Sequence, residues 1–172
     1  MLVEKFVPGM ELTVAALSSG ENIDTFAYIL KEKNGVDLSE NYMSAYQANL
    51  ESYVDGERIW RSMEQEGLAT LATEAKNVTF NLIQELRFIG YARADFRATT
   101  EGELVFLELN GQAGIGLGPS VVTTIGTDYY GDRLGFIKEL TNKALYYLKY
   151  ECSNPSKGHK RWSHQAFLNI DT

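Results

Sequence analysis

The first third of the chain is a series of short apolar runs separated by turn signals. Residues 2–7 and 10–17 predict two strands, because Pro8-Gly9 between them is typical of a turn. Residues 25–30 predict a third short strand that ends before a polar turn. This pattern predicts that the chain begins by building a sheet.

Helical periodicity dominates much of the remaining chain. Apolar spacings of three and four predict helices over residues 68–88 and 132–150, and a less regular one within 37–54. Residues 56–67 are polar and charged, which fits a loop or a weaker helix. Strands followed by a helix, then a hairpin and a further helix, indicate an α+β domain with helices packed on an antiparallel sheet.

The hairpin lies in the middle of the chain, in the runs YARADFR and VFLELN, which residues 98–103 join. Side chains alternate across a strand, so Arg93 shares a face with Asp95, and Glu108 shares a face with Asn110. If the hairpin pairs these faces, two carboxylates, an amide oxygen and a guanidinium converge. Oxygen ligands of this kind suit Mg²⁺, and an adjacent arginine suits a phosphoryl group.

Two interpretations of this cluster are open from spacing alone. Charged residues on one face of a hairpin are commonly a solvated surface or cross-strand ion pairs. The run Leu104 to Leu109 is nevertheless very apolar, which predicts a largely buried strand. A carboxylate such as Glu108 requires a partner in that setting, because an uncompensated buried charge is costly, and this favours a metal site.

Composition excludes several classes of function. The chain has 172 residues, enough for one domain, and a net charge of −7, which argues against nucleic-acid binding. The only cysteine, Cys152, excludes an intrachain disulfide and fits a reducing compartment. We see neither an apolar run long enough for a membrane span nor a secretory leader, so we expect a cytoplasmic protein. The chain starts within a strand-like run, which suggests a fragment of a larger protein.

Taken together in order, three segments resemble the C-terminal part of the ATP-grasp enzymes, most closely the D-alanine–D-alanine ligases. The segments are Glu4-Lys5-Phe6-Val7 followed by Glu11-Leu12-Thr13-Val14-Ala15, then Gly90-Tyr91-Ala92-Arg93-Ala94-Asp95-Phe96, then Leu107-Glu108-Leu109-Asn110 with the glycine turn 111–114. The first is similar to the family's hinge, the second to its G-x-x-R-x-D-F strand, and the third to its L-E-x-N strand. The resemblance extends from about residue 2 to residue 145.

The resemblance implies a role for each matching position. Glu4, Lys5, Phe6 and Val7 would line the adenine of ATP, Leu107 would form part of its floor, and Glu11 would accept hydrogen bonds from the ribose. The implied metal ligands are Asp95, Glu108 and Asn110, holding one or two Mg²⁺ or Mn²⁺ ions against the phosphates. Arg93 would bind the transferring phosphate, the Gly114 N–H would face the oxyanion, and Ser120 would meet a substrate carboxylate. The implied reaction joins a carboxylate to an amine through an acyl phosphate.

Departures from the family pattern limit these implications. The amino-acid-binding domain and the phosphate loop that precede the family's hinge are absent, so the chain would need an upstream half, in cis or in trans, to turn over. Residues 31–67, where the family has its lid, are divergent, and the turn after Asn110 lacks the family's proline. We therefore expect an ATP-grasp subdomain over residues 1–150, a polar tail over 151–172, and substrates other than D-alanine as an open possibility.

Two other classes of function stay open on the sequence. The chain fits a non-catalytic ATP-grasp remnant that serves as a binding or association module, including a homo-oligomer. It also fits an unrelated α+β regulatory domain with a chance hairpin. Proximity of Asp95, Glu108 and Asn110 in a structure is the observation that separates a ligase or an ATP-grasp remnant from an unrelated regulatory domain.

Overall fold

A computed structural model describes residues 5–33, 36–37, 58–111, 113–115 and 120–153. Within these residues the chain forms six strands and three helices. In chain order they are β1 Met10–Ser18, β2 Ile23–Lys33, β3 Val36–Asp37, β4 Arg58–Ser62, α1 Ala69–Glu85, β5 Gly90–Ala98, β6 Leu104–Asn110, α2 Val121–Tyr130 and α3 Arg133–Ser153. The helix predicted within 37–54 and most of the tail over 151–172 lie outside the described residues.

The strands form one antiparallel sheet with the order β3-β2-β1-β5-β6, and β4 also pairs with β2. Strand β1 is central, and its residues Leu12 to Ser18 are buried. Strand β6 forms one edge of the sheet. A sheet with helices on both faces confirms the predicted α+β fold.

The two faces of the sheet are covered differently. Helix α1 covers one face, where its Ala72 and Ala75 pack with Leu12, Val14 and Phe96 of the sheet. Helices α2 and α3 cover part of the other face, with a core of residues from both layers: Ala15, Leu17, Phe26, Tyr28, Ala113, Val122, Ile125 and Phe136. The described helices leave the rest of that second face uncovered, around Thr13 of β1, Asp95 of β5 and Glu108 of β6.

The sequence predictions agree with most of this fold. The strand predicted at 25–30 is longer, and the helix predicted at 68–88 begins and ends slightly inside those bounds. Residues 58–62 form strand β4 rather than a loop or helix, because pairing with β2 and packing of Trp60 outweigh their polar composition. Helix α2 has no predicted counterpart. Residues 5–7, predicted within a strand, belong to no element.

The prediction of a largely buried β6 is wrong. Phe106 is 42% and Leu107 is 49% exposed. Because β6 is an edge strand, one of its flanks carries no neighbour among the described residues. The apolar run therefore marks an exposed apolar edge next to the polar cluster.

Helices α2 and α3 meet at Gly126, where a Cβ would collide with the buried ring of Phe136. We expect Gly126→Ala to lower the free energy of unfolding by about 1–3 kcal/mol, since overpacking a closed core exceeds the gain in helix propensity. Urea denaturation measures the change. Asn77→Ala, at an exposed position of α1, is the matched control and should be neutral or slightly stabilising. A Gly126→Ala protein as stable as the wild type would contradict this packing.

None of the described helices combines the length and the apolar composition that a membrane span requires.

Candidate functional site

The uncovered part of the second sheet face carries a polar cluster built by three adjacent strands. Antiparallel register places Thr13 beside Asp95 and Asp95 beside Glu108. Two residues further along, on the same face, Arg93 lies beside Asn110. The predicted convergence of two carboxylates, an amide and a guanidinium is therefore present, since cross-strand partners share a face.

Asp95 is the centre of this cluster. Its Oδ2 accepts from Arg93 Nε at 2.9 Å and from Arg93 Nη2 at 2.7 Å. Its Oδ1 accepts from the hydroxyl of Thr13 at 2.8 Å. These charge-assisted bonds fix the carboxylate on the sheet and hold the guanidinium next to it.

Asn110 joins the two carboxylates. Its Nδ2 donates to Asp95 Oδ2 at 3.2 Å and to Glu108 Oε1 at 2.9 Å. Arg93 Nη2 also lies 3.9 Å from Glu108 Oε1. The positive end of the amide thus stands between two acidic groups, where a cation would be attracted. A half turn of the amide would present its oxygen instead, as a metal ligand requires.

Exposure changes steeply across the cluster. The side chain of Asp95 is 16% exposed, that of Arg93 29%, and that of Glu108 60%. Burial raises the pKa of Asp95 above its ordinary value, against the lowering effects of Arg93 and Thr13. The ionised carboxylate is therefore held at the base of the site at an energetic cost.

The raised pKa gives a testable pH dependence. The folded state holds the Asp95 proton more tightly than the unfolded state, so this group's contribution to stability is fully present below the unfolded pKa and is lost as pH rises through the folded pKa. We expect the melting temperature of the wild type to rise relative to that of Asp95→Asn on acidification, because only the wild type takes up this proton on folding. Calorimetric scans at several pH values measure it, with the exposed Glu74→Gln as control. A difference between the two melting temperatures that does not change with pH would contradict the assignment.

The donor set fits a hard divalent cation that is completed by other ligands. No group of three or more histidine, cysteine, aspartate and glutamate side chains with metal-binding geometry occurs in the described part of the chain. Asp95 and Glu108 supply two carboxylates and Asn110 supplies an amide. Mg²⁺ binds through one or two carboxylates and takes its remaining oxygens from water and phosphates.

A second polar group lies at the start of β1 and involves Arg97, which is only 4% exposed. Its Nη1 donates to the carbonyl oxygens of Val7, at 3.1 Å, and Gly9, at 3.0 Å. Its Nη2 lies 3.9 Å from Glu11 Oε2, and its guanidinium carbon lies 5.0 Å from the centre of the Phe6 ring. One arginine thus ties the segment before β1 to β5.

The backbone at this point allows a close approach. Gly9 has φ +134°, and a Cβ there would collide with the carbonyl oxygen of Ala98. Only glycine fits both the positive φ and the close contact with Ala98. Burial lowers the pKa of Arg97, partly offset by Glu11.

The remaining predicted residues lie around these two groups. Lys5 and Phe6 are exposed, and Phe6 is 44% exposed next to Arg97. Leu107 is the extra residue of a β-bulge, between the paired positions Glu108 and Phe106. The prediction for Glu4 lies outside the described residues.

The loop after β6 carries the last two predicted positions. Gly114 is exposed, and its carbonyl oxygen accepts a hydrogen bond from the hydroxyl of Ser120. Ser120 is the residue before α2, and its own carbonyl oxygen accepts from Thr124. The serine hydroxyl is therefore engaged with the loop in this state.

Two residues of these groups were missed from the sequence. Arg97 follows Arg93 and Asp95 at the same strand alternation, and Thr13 follows Glu11 in the same way, so both faces could have been inferred. The cross-strand register that pairs Thr13 with Asp95 is a long-range feature with no local signal.

A cavity of about 660 Å³ lies elsewhere, between α1 and the β5–β6 turn, with Leu68, Leu71 and Thr100 in its lining. It is on the α1 face of the sheet and shares no side chain with the polar cluster. We assign no chemistry to it, because the charged groups that converge are on the opposite face.

One family model matches most of this chain. Residues 1–130 match the family model described as the D-ala D-ala ligase C-terminus. The chain is 31% identical over 144 residues to the D-alanine–D-alanine ligase of Bartonella bacilliformis, covering 81% of this chain and 42% of that protein. The chain thus spans about two fifths of the length of this relative.

Solved structures show the same fold. The D-alanine–D-alanine ligase of Bacillus anthracis, complexed with ATP, superposes with a TM-score of 0.59 at 18% identity, over 86% of this chain and 43% of that one. The VanG D-Ala:D-Ser ligase of Enterococcus faecalis superposes with a TM-score of 0.54 at 18% identity, over 83% and 38%. The chain belongs to the D-alanine–D-alanine ligase C-terminal family and has the fold of an ATP-grasp C-terminal subdomain.

Proposed function

We propose that this chain is the ATP- and metal-binding half of a carboxylate–amine ligase. The observation that carries the proposal is the cluster of Asp95, Glu108 and Asn110 beside Arg93 on an uncovered sheet face. Membership in a ligase family supports it. A solvated ion-pair surface is the weaker explanation, because Asp95 is largely buried and its ionised form is disfavoured there.

In this proposal Asp95, Glu108 and Asn110 hold Mg²⁺, or Mn²⁺ in its place. The bound ion would neutralise charge on the ATP phosphates. Glu108 is the most exposed of the three and therefore the best placed to meet a ligand from solvent. Asn110 would turn its amide so that its oxygen, rather than its nitrogen, faces the cation.

Arg93 has the role of stabilising the transferring phosphoryl group. A carboxylate oxygen of the first substrate attacks the γ-phosphorus, the bond to the β–γ bridging oxygen breaks, and ADP leaves with that electron pair. An amine then attacks the acyl carbon, inorganic phosphate leaves, and the nitrogen loses a proton to water. The guanidinium remains beside the phosphoryl oxygens throughout, and such charge neutralisation provides most of the catalysis in phosphoryl transfer.

The segment before β1 would receive the nucleoside. Lys5, Phe6 and Val7, together with Glu4, line the adenine in this proposal, Leu107 lies on its other side, and Glu11 accepts from the ribose hydroxyls. The two hydrogen bonds from Arg97 to Val7 and Gly9 support this role, since they fix the backbone that would meet the base.

The loop after β6 would complete the substrate side. The N–H of Gly114 is proposed to face the developing oxyanion. Ser120 is proposed to meet a substrate carboxylate, which requires its hydroxyl to leave the Gly114 carbonyl. When the Ser120 hydroxyl exchanges the Gly114 carbonyl for a substrate carboxylate, a hydrogen bond within the loop is lost. Substrate binding would therefore change the conformation of the loop.

The other half of the cleft would come from an upstream ATP-grasp half, in cis or in trans. The chain spans 42% of the Bartonella relative, so ligation by the complete protein is part of the proposal. The relative's substrate, D-alanine, makes small amino acids the first to test. An ATP-consuming reaction of this type suits the cytoplasm.

A hybrid enzyme tests the proposal. The preceding part of the Bartonella ligase is fused to this chain, and phosphate release is measured with ATP, Mg²⁺ and D-alanine or D-serine. We expect release that requires the amino acid, and an Arg93→Ala hybrid that loses it by at least about 100-fold. A folded hybrid with no amino-acid-dependent release, whose nucleotide affinity does not depend on Mg²⁺, would refute the ligase assignment.

A second candidate function is a non-catalytic association module. The observation that favours it is the exposed apolar surface of helix α3. Metal-dependent nucleotide binding separates the two, because an association module is indifferent to Mg-ATP.

A further inference from the structure

Tyr28 of β2 lies in the same cross-strand row as the polar cluster. Antiparallel register places Tyr28 beside Thr13, and Thr13 beside Asp95. Cross-strand partners share a face, so the ring of Tyr28 is on the second face of the sheet, where it is only 5% exposed. The row therefore connects the covered part of this face to the uncovered part that carries the cluster.

The hydroxyl of Tyr28 donates a hydrogen bond to Oδ2 of Asp128 in α2. We call this hydrogen bond the α2 tie. Burial raises the pKa of Tyr28, and the carboxylates of Asp128 and Glu64 raise it further. The hydroxyl therefore keeps its proton at any physiological pH and is a permanent donor to Asp128.

The α2 tie is the only side-chain hydrogen bond between α2 and the sheet in the part of the chain that the structure describes. The other contacts of α2 with the body of the protein are packing contacts, with Val122 and Ile125 fully buried in the core. Hydrophobic packing is not directional and tolerates small rotations and shifts of a helix. A hydrogen bond has a preferred distance and angle, so the α2 tie selects one orientation of α2.

The α2 tie acts on the side of α2 that faces the sheet. Asp128 follows Val121 by seven positions, which places the two residues within about 20° around the helix and about 10 Å apart along it. Val121 packs on the core of the second face and directly follows Ser120. The orientation that Asp128 fixes at one end of α2 is therefore transmitted to Ser120 at the other end.

We propose that Tyr28 and Asp128 are positioning residues that place Ser120 for the substrate carboxylate. The inference rests on the proposed function, in which Ser120 meets that carboxylate. Without the α2 tie the helix would sample several orientations, and only a fraction of them would present Ser120 correctly. An apparent dissociation constant increases in proportion as the competent fraction falls.

Steady-state kinetics of the hybrid ligase test this role. We expect Tyr28→Phe to raise the KM for the amino acid about tenfold, the equivalent of one hydrogen bond to a charged group. The kcat and the KM for Mg-ATP should stay unchanged, because the polar cluster is held by β1, β5 and β6 and not by α2. A loss of substrate binding alone has this signature.

Matched variants separate the α2 tie from a general loss of packing. Asp128→Ala should raise the KM like Tyr28→Phe, whereas Asp128→Asn keeps an oxygen that accepts from Tyr28 and should behave like the wild type. Tyr130→Phe is the control on α2 itself, since the Tyr130 hydroxyl forms no hydrogen bond among the described residues. An unchanged KM in Tyr28→Phe, or an equal increase in Tyr130→Phe, would overturn the proposal.

Hydrogen exchange of the full 172-residue chain tests the α2 tie without any activity. The Thr124 amide, which donates to the Ser120 carbonyl in the first turn of α2, should exchange several-fold faster in Tyr28→Phe, and the amides of β1 should not change. Equal exchange in the wild type and Tyr28→Phe, or faster exchange throughout the chain, would refute local positioning. An inactive wild-type hybrid would refute the proposed function instead, and the exchange of Thr124 would then decide whether the tie holds α2.

Discussion

Glu108→Gln should strongly weaken metal-dependent nucleotide binding and leave the protein as stable as before. The side chain is 60% exposed, so its replacement costs no more than about 0.5 kcal/mol of stability. Its negative charge is nevertheless one of two in the proposed metal site. We expect affinity for Mg-ATP to fall at least tenfold, about 1.4 kcal/mol.

Calorimetric titration at millimolar nucleotide, with and without Mg²⁺, measures this difference. Glu103→Gln is the matched control, because it removes an exposed glutamate from the same hairpin without touching the cluster. Unchanged Mg-ATP affinity in Glu108→Gln would show that the Glu108 carboxylate is not part of the metal site. Equal losses of Mg-ATP affinity in both variants would show that the effect comes from the net charge of the protein and not from the position of Glu108.

The largest effect on stability is expected for Arg97→Met. The substitution removes the donors to the carbonyl oxygens of Val7 and Gly9 and leaves Glu11 without the buried cation 3.9 Å away. Breaking a buried charged network by removing one partner costs about 3 kcal/mol or more. Methionine keeps the aliphatic part of the side chain, so the loss of the guanidinium group accounts for most of the difference.

Urea denaturation measures the change, and Arg61→Met on β4 provides the control because Arg61 is exposed. We expect Arg97→Met to lower the free energy of unfolding several times more than Arg61→Met, since substitutions at exposed positions change stability by about 0.5 kcal/mol. If the two variants unfold at the same urea concentration, Arg97 does not hold the segment before β1 in the way the structure indicates.

The hairpin and its site face could be predicted from the sequence because they depend on local rules. Alternation along a strand is enough to pair Arg93 with Asp95 and Glu108 with Asn110 on one surface. The same rule places Arg97 on that surface, although its contact with Val7 and Gly9 depends on how the chain returns to β5.

The exposure of β6 could not be predicted, because it depends on the order of strands in the sheet. An apolar run such as Leu104 to Leu109 is compatible with a buried strand or with an exposed edge strand. Strand β4 is similar, since its polar residues become a strand through pairing with β2. Helix α2 was missed because Gly126 and its threonines weaken the helical pattern, while close packing on Phe136 requires that glycine.

The central claim is that Asp95, Glu108 and Asn110 hold the metal of a bound nucleotide. Nuclear magnetic resonance with Mn²⁺ and a non-hydrolysable ATP analogue tests it most directly, because the paramagnetic ion broadens only signals close to it and weak binding suffices. We predict that the side-chain amide of Asn110 and the backbone amides of Asp95 and Glu108 broaden first, and that Glu108→Gln removes the effect. Broadening confined to other surfaces, or its persistence in Glu108→Gln, would contradict the claim.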